Sequence, residues 1–590
     1  MNVNHRQQGQ RQQHHKVVII GSGISGLTSL IQLKRKLGLS GTNDVRVYEK
    51  GNELGGTWAK NCYPGATSDI PISFYSASFS PAKNFSTQWP SSFEILSYWK
   101  NLVYKKYSVS SQITYQTLIV SAKFLKEFGI WELEIKDLKT NEIRIETCNV
   151  LISAVGALST PSPPPFDISK FKGKIVHTGE WDKSIDLKDK NVVVLGNGCT
   201  SAGLIPAIID QVKSLTQIAR SKHSIVPPVK VPDNYWTNFL VRWIPGLITV
   251  FRFAVFFLCE SYFWMNQDSE KAKKGRSRMK KISDDYIEKT APEKYWDQLK
   301  YDFEFGQKRR IIDFKHYTTC LHSPKFNLIQ PDTISSVSGK TLTTQQGLVI
   351  EDVDVIILST GFKVTNYLGD LKILNEENED LVERFKKNGV KTYLTSMVHS
   401  YPNFFMLMGP GSVTGHSSVL FNSECTILMM IELLRPVFKS ISEQESITSI
   451  STTPSIQTEA DAEAEELEKP SSPPDDDHKL IETEFSRSPF DEKFPFHRGD
   501  DQVSLPPRIE TVVQAPFVQV TQEAEDEWYQ SMRKEMEKLI WEPKQQDGKV
   551  SWYTDQEQNG KCTTLYPWSQ IHFKNSTQKI IKERFVWSNC

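Results

Sequence analysis

Three glycines, Gly21, Gly23 and Gly26, form a GxGxxG run between the apolar stretch Lys16-Val-Val-Ile-Ile20 and a helical pattern from Leu27 to Leu37. A strand, a glycine turn and a helix in this order present bare backbone N–H groups to a pyrophosphate at the helix N-terminus. Gly21 permits the tight turn, Gly23 the close approach of the phosphates, and Gly26 the packing of helix on strand. Glu49 ends the next strand, Val45-Arg-Val-Tyr48. Its carboxylate suits the two ribose hydroxyls of an adenosine. The unit recurs: Asn191-Val-Val-Val-Leu195 is followed by Gly196 and Gly198, then Thr200 and Ser201. Ser201 takes the place of the third glycine and is small enough for close packing. Beyond the following strand stands Arg220 instead of an acid. A guanidinium attracts a 2′-phosphate, whereas an acid repels it, so this second site is expected to prefer NADPH to NADH.

These turns need parallel sheets to hold them. The fold class expected is therefore α/β, with two Rossmann-like dinucleotide-binding domains and a helical insertion. The 590 residues suffice for three or four domains. The 70 basic and 70 acidic side chains balance, which gives no general attraction to nucleic acid or to an anionic membrane. The eight cysteines contain no CxxC pair, so no zinc ribbon is expected, and the sparse thiols fit a reduced, cytoplasmic setting. Residues 1–15 read as a disordered Gln/His/Arg-rich tail and not as a secretory signal. The first domain is expected over 16–160, 363–440 and 509–590. The second is expected over 161–230 and 306–362, around a helical insertion at 231–305. Residues 441–508 are rich in Ser, Pro and acids and read as a disordered loop. Between Trp236 and Trp264 an apolar stretch is interrupted by Arg242, Pro245, Arg252 and Glu260. It reads as a buried or interface helix pair; peripheral membrane contact is the lesser alternative. Nothing in the sequence reports an oligomeric state.

Two longer runs carry a resemblance. Gly55-Gly-Thr-Trp-Ala-Lys-Asn-Cys-Tyr-Pro-Gly-Ala-Thr-Ser-Asp69 resembles one signature of the Baeyer–Villiger monooxygenases, class B flavin-dependent enzymes that use FAD and NADPH. Phe171-Lys-Gly173-Lys-Ile-Val-His177-Thr-Gly179-Glu-Trp181-Asp182 resembles the other and lies between the two glycine turns, as that family requires. Related flavin monooxygenases that oxidise nitrogen and sulfur usually differ at the last two positions, so Trp181 and Asp182 discriminate. The resemblance covers about residues 16–430 and resumes over 520–575.

The resemblance implies FAD on the first domain and NADPH on the second. It implies that O2 reacts with the reduced flavin to give a C4a-peroxide, which attacks a small ketone or aldehyde and leaves an ester or lactone. It places Gly56, Thr57, Trp58, Asp69 and Tyr75 about the flavin. It makes Arg309, in Lys308-Arg309-Arg310, the cation that balances the developing anion, with Asp69 as its partner and Lys308 near the adenosine phosphate. His177 is expected to position a linker beside the second domain. Gly409 to His416 resembles the loop that closes over the flavin ring, and Trp552 the mobile segment that folds over NADP+. Two other functions are weighed: an N- or S-oxygenating flavin monooxygenase, and a weakly active redox-binding scaffold.

Overall fold

A computed structural model describes residues 13–228, 235–451, 514–542, 553–555 and 560–590. Most of the expected acidic loop, and the tail before residue 13, lie outside the described residues.

Apolar alternation and β-branched runs build two sheets. In the first, His14–Ile20 is the central parallel strand, with Val45–Tyr48 on one side and Ile143–Ser153 on the other. Ile19 stands opposite both Val47 and Ile152, which fixes the register. Phe404–Met406 adds to Ile143–Ser153 in parallel. Thr117–Leu125 and Ile130–Asp137 extend the sheet as an antiparallel meander. Apolar cores cover both faces of this sheet.

The second sheet is parallel throughout. Its strand order is Phe326–Ile329, Ser214–Ile218, Asn191–Leu195, Val355–Leu358 and Lys174–His177. Parallel strands buried on both faces read as continuous apolar runs, and Val192 to Leu195 do so. The helical insertion leaves and rejoins this unit at adjacent strands, because Ile225 pairs with Ile311.

Four expectations change. The tail gives way to strand at His14, because His14 and His15 pair with Thr147 and Cys148. The helix Val419–Ser451 runs ten residues past the expected start of the acidic loop, through a stretch without Gly or Pro. The second long run is not a linker: Lys174–His177 is the edge strand of the second sheet. Finally, the pair Tyr235–Trp243 and Leu247–Glu260 is buried only along one face of its second helix. Trp243, Val250, Phe253 and Phe257 are 65%, 64%, 55% and 58% exposed. Two of the interrupting charges point inward while Arg242 stays exposed: Arg252 donates to the Ser73 and Ser76 carbonyls at 2.8 and 2.9 Å, and Glu260 meets His416.

One buried polar knot ties the three central strands of the first sheet. Glu146, 3% exposed, accepts from the Tyr48 hydroxyl, meets His15 Nε2 at 3.2 Å and accepts from Arg144 Nε at 2.8 Å. Burial alone would raise its carboxyl. The three hydrogen bonds and the Arg144 charge outweigh this and lower it from 4.5 to about 2. A lowered carboxylate contributes stability above its unfolded value, and that contribution disappears as pH falls through the folded value. Glu146 should therefore supply about 3 kcal/mol at neutral pH, lost between about pH 4.5 and 2. Thermal melts across this range should show a shallower acid slope in Glu146→Gln; an unchanged slope would contradict this reading.

Candidate active site

The helices Ile24–Leu37 and Cys199–Ile208 begin at Gly23 and Gly198, and neither N-terminus has a side-chain cap. Their first N–H groups are thus left for an anion. A Cβ on Gly198 would meet nothing within 4 Å, so a ligand can approach the backbone there. In the first turn the glycines are required by contact: a Cβ on Gly26 would lie 2.0 Å from the Gly21 carbonyl, and one on Gly56 2.7 Å from Gly23 Cα. Two uncapped helix N-termini at glycine turns fit two dinucleotides. Glu49 accepts from the Ser22 N–H at 2.7 Å, the Ser22 hydroxyl at 2.9 Å and the Gly51 N–H at 2.7 Å. It therefore braces the turn and keeps about one of its four lone-pair sites for a ribose hydroxyl. In the second turn the Ser201 hydroxyl donates to the Gly196 carbonyl at 2.8 Å, tying helix to turn where a glycine would only pack. Arg220 stands exposed just beyond the strand Ser214–Ile218.

Residues 55–69 join the two units. Thr57–Lys60 is a short helix after Gly56. The Trp58 and Tyr75 rings meet edge to face at 5.8 Å, and burial pushes the Tyr75 hydroxyl up to about 12. Next, the Cys62 thiol points at the Trp181 carbonyl, 3.9 Å away, and Tyr63 packs on the core of the second unit. Gly65 has φ +82, and a Cβ on it would come 2.0 Å from the Gly203 carbonyl of the second turn's helix. The run ends at Asp69, whose Oδ2 accepts from Arg309 Nη2 at 2.9 Å.

This ion pair is the chemical centre of the seam. The Arg309 and Asp69 side chains are 40% and 38% exposed. Burial pushes the Asp69 carboxyl up, but the Arg309 charge and hydrogen bond, together with the Arg310 charge, hold it below the usual carboxylate value. The Asp69 charge, foremost, raises Arg309 further, so both stay ionised. The neighbouring arginine acts elsewhere: Arg310 Nη1 donates to the Gly415 carbonyl at 3.0 Å and so holds the loop from Gly409 to His416. The Lys308 ammonium lies 4.8 Å over the Phe303 ring.

Residues 19–89 match the NAD(P)-binding Rossmann-like domain family. An uncharacterized monooxygenase y4iD of Sinorhizobium fredii is 31% identical over 439 residues, which cover 71% of this chain and 64% of that protein. A Baeyer–Villiger monooxygenase of Pseudomonas aeruginosa is 27% identical over 429 residues, 72% of this chain and 77% of that one. The chain is thus similar to FAD-binding monooxygenases, Baeyer–Villiger monooxygenases among them. A solved structure of OTEMO in complex with FAD and NADP shares the fold over 97% of this chain and 99% of that one, with a TM-score of 0.70 and 18% identity.

In this chain the second long run has a structural task of its own. A Cβ on Gly173 would lie 2.4 Å from the Asp354 carbonyl, and one on Gly179 2.7 Å from the Phe362 ring. Phe171 forms a bridge with Gly339. His177 Nδ1 accepts from the Gly179 N–H at 2.9 Å, and burial pulls the imidazole below its ordinary value. It braces the turn that leads to Trp181. Asp182 Oδ1 accepts from the Ser184 N–H and hydroxyl at 2.8 and 2.6 Å, closing the next turn. Thr200 is in the first turn of the second helix, while Trp552 lies outside the described residues.

One residue and one contact escaped sequence reasoning. Gly203 has no motif to mark it. Glu260 and His416 meet at 3.0 Å, and Glu260 also accepts from the Gln570 and Ile571 N–H groups at 3.1 Å each. Only the fold brings them together. The seam makes a sharp prediction. Gly65→Ala adds a left-handed penalty and an overlap, and should cost about 2–4 kcal/mol in denaturant unfolding. Gly347 has the same φ of +82 but nothing within 4 Å of a Cβ. Gly347→Ala should cost only the backbone part, about 1–2 kcal/mol. Equal costs would remove the close approach of Gly65 and Gly203 from the account.

Proposed function

We propose that this chain is an NADPH- and O2-consuming Baeyer–Villiger monooxygenase that inserts one oxygen atom beside a ketone or aldehyde carbonyl, giving an ester or lactone. The observation that carries this reading is the Asp69–Arg309 pair, which sets a fixed cation at the seam between two dinucleotide turns.

FAD fits the first turn, through Gly21, Gly23, Gly26, Glu49, Gly56 and Thr57. NADPH fits the second, through Gly196, Gly198, Thr200, Ser201 and Arg220. When bound, the two cofactors supply the hydride and the activation of O2. The protein's own task is to orient and to balance charge. As the carbonyl is attacked, negative charge gathers on oxygen, and Arg309 offers a planar, permanently charged fork of donors. Asp69 fixes the direction of that fork. Arg310 holds the loop from Gly409 to His416 in place beside the ion pair's segment, and a held loop helps exclude water, which protects reactive species from decay.

The test is a panel of ketones, aldehydes and thioethers with NADPH and O2, with products identified by mass spectrometry. Ester or lactone formation is expected. Sulfoxide without any ester would favour an N- or S-oxygenating activity, and NADPH use that no substrate raises would favour a redox-binding scaffold. Arg309→Ala should keep its FAD but lose ester formation by at least ~10²-fold, the scale set by removal of one preorganised oxyanion donor. NADPH still consumed should appear as H2O2. Arg310→Ala should be milder. Full ester formation by Arg309→Ala would overturn the role of this residue.

A further inference from the structure

We propose that the helix pair Tyr235–Trp243 and Leu247–Glu260, with the basic helix Glu270–Thr290 beside it, is a docking face that seats the protein flat on an anionic lipid surface.

The helix Leu247–Glu260 has two unlike faces. Ile248, Val255 and Phe256 are buried, and the last two pack in one cluster with Ile70 and Phe74. Val250, Phe253 and Phe257, at spacings of three and four, form an exposed stripe on the other side, 64%, 55% and 58% accessible. Trp243 at the end of the preceding helix is 65% exposed. Exposed apolar surface of this size marks an interaction site and not ordinary solvent-facing polarity.

The charges on this helix show how it would meet lipid. The stretch Leu247–Asn266 is long and apolar enough to cross a bilayer, with a mean hydropathy of 1.5 in its most apolar window. Yet Arg252 is bound to the Ser73 and Ser76 carbonyls, and Glu260 to His416 and to the N-terminus of the helix Gln570–Gln578. Both charges hold the inner face against the protein body. The outer face is left without a charge between 247 and 258. Such a helix lies in the interface and does not span it.

The border identifies the partner. Tyr262 and Trp264, 45% and 38% exposed, have the apolar body and polar tip that suit headgroup depth. The Lys271 ammonium lies 5.6 Å over the Trp264 ring, so the basic helix begins at the edge of the apolar face. Residues 271–281 contain seven bases and no acid. Arg276 is buried against Glu304, and Lys280 is paired with Asp284. Lys271, Lys273, Lys274, Arg278 and Lys281 remain exposed. Lys271, Lys274 and Arg278 share one helix face. The chain as a whole has no net charge, so this band is local. An apolar stripe edged by aromatic rings and lysines complements acyl chains below acidic headgroups. A second copy of this chain would bring a like-charged band toward its own.

The test is flotation of the full-length, FAD-loaded protein with vesicles. One set is phosphatidylcholine with one-third phosphatidylserine; the other is phosphatidylcholine alone. Most of the protein should float with the first set and roughly tenfold less with the second. Phe253→Glu/Phe257→Glu and Lys271→Glu/Lys274→Glu should each cut binding to the acidic vesicles by a similar factor. Flavin content and melting temperature should stay unchanged, and the lysine pair, being exposed, guards against a folding artefact. Protein that stays unbound with acidic vesicles would overturn the proposal, as would full binding by Phe253→Glu/Phe257→Glu. So would sedimentation of the parent as a vesicle-indifferent dimer that Phe253→Glu/Phe257→Glu converts to monomer.

Discussion

A carboxylate and a guanidinium 240 residues apart in sequence meet at 2.9 Å where the two nucleotide-binding units touch. Each arrives there by a different constraint. Asp69 ends a run whose preceding residues are held against the second unit by the contact of Gly65 with Gly203. Arg309 stands just before the short strand Ile311–Ile312, which pairs with Ile225–Val226. Arg309 also offers its carbonyl to His223 Nδ1 at 3.3 Å, and burial pulls that imidazole down to about 4, so the ring is neutral near pH 7. The pair is half open, so neither charge bears the full cost of dehydration, and each still feels the other strongly.

The same seam explains why two adjacent arginines are needed. One side chain cannot both aim at a reacting oxygen and hold a loop. Arg309 turns to Asp69, while Arg310 turns to the Gly415 carbonyl and its own carbonyl lies 3.3 Å from the Cys199 thiol. Cys199 opens the helix of the second glycine turn, so the arginine segment, that turn and the 409–416 loop form one connected assembly. A shift in any one of them is felt at the ion pair.

Much of this was legible in the sequence, for a physical reason. Glycine turns, and an acid or a base at the end of the next strand, are local, because backbone geometry and ligand charge dictate them within a few tens of residues. Ser201 could be recognised as a small replacement, but its bond to the Gly196 carbonyl could not. The seam was legible only through a family resemblance, since no local rule marks Gly203 as the partner of Gly65. The helix pair misled in an instructive way. Arg252 and Glu260 look like interruptions of an apolar stretch, yet they face inward and are satisfied there, which turns the aromatic side outward. The resemblance put His177 beside a linker, whereas pairing of Lys174–His177 with Val355–Leu358 makes the segment a strand.

The central claim is that Asp69 acts through Arg309, as one unit. A double-mutant cycle tests this directly, with ester formed per NADPH consumed as the readout for Asp69→Asn, Arg309→Ala and the double variant. Residues that act as a unit are strongly non-additive. The account predicts that Asp69→Asn loses part of what Arg309→Ala loses, and that the double variant is no worse than Arg309→Ala alone. Losses that multiply in the double variant would show two independent contributions and contradict the account.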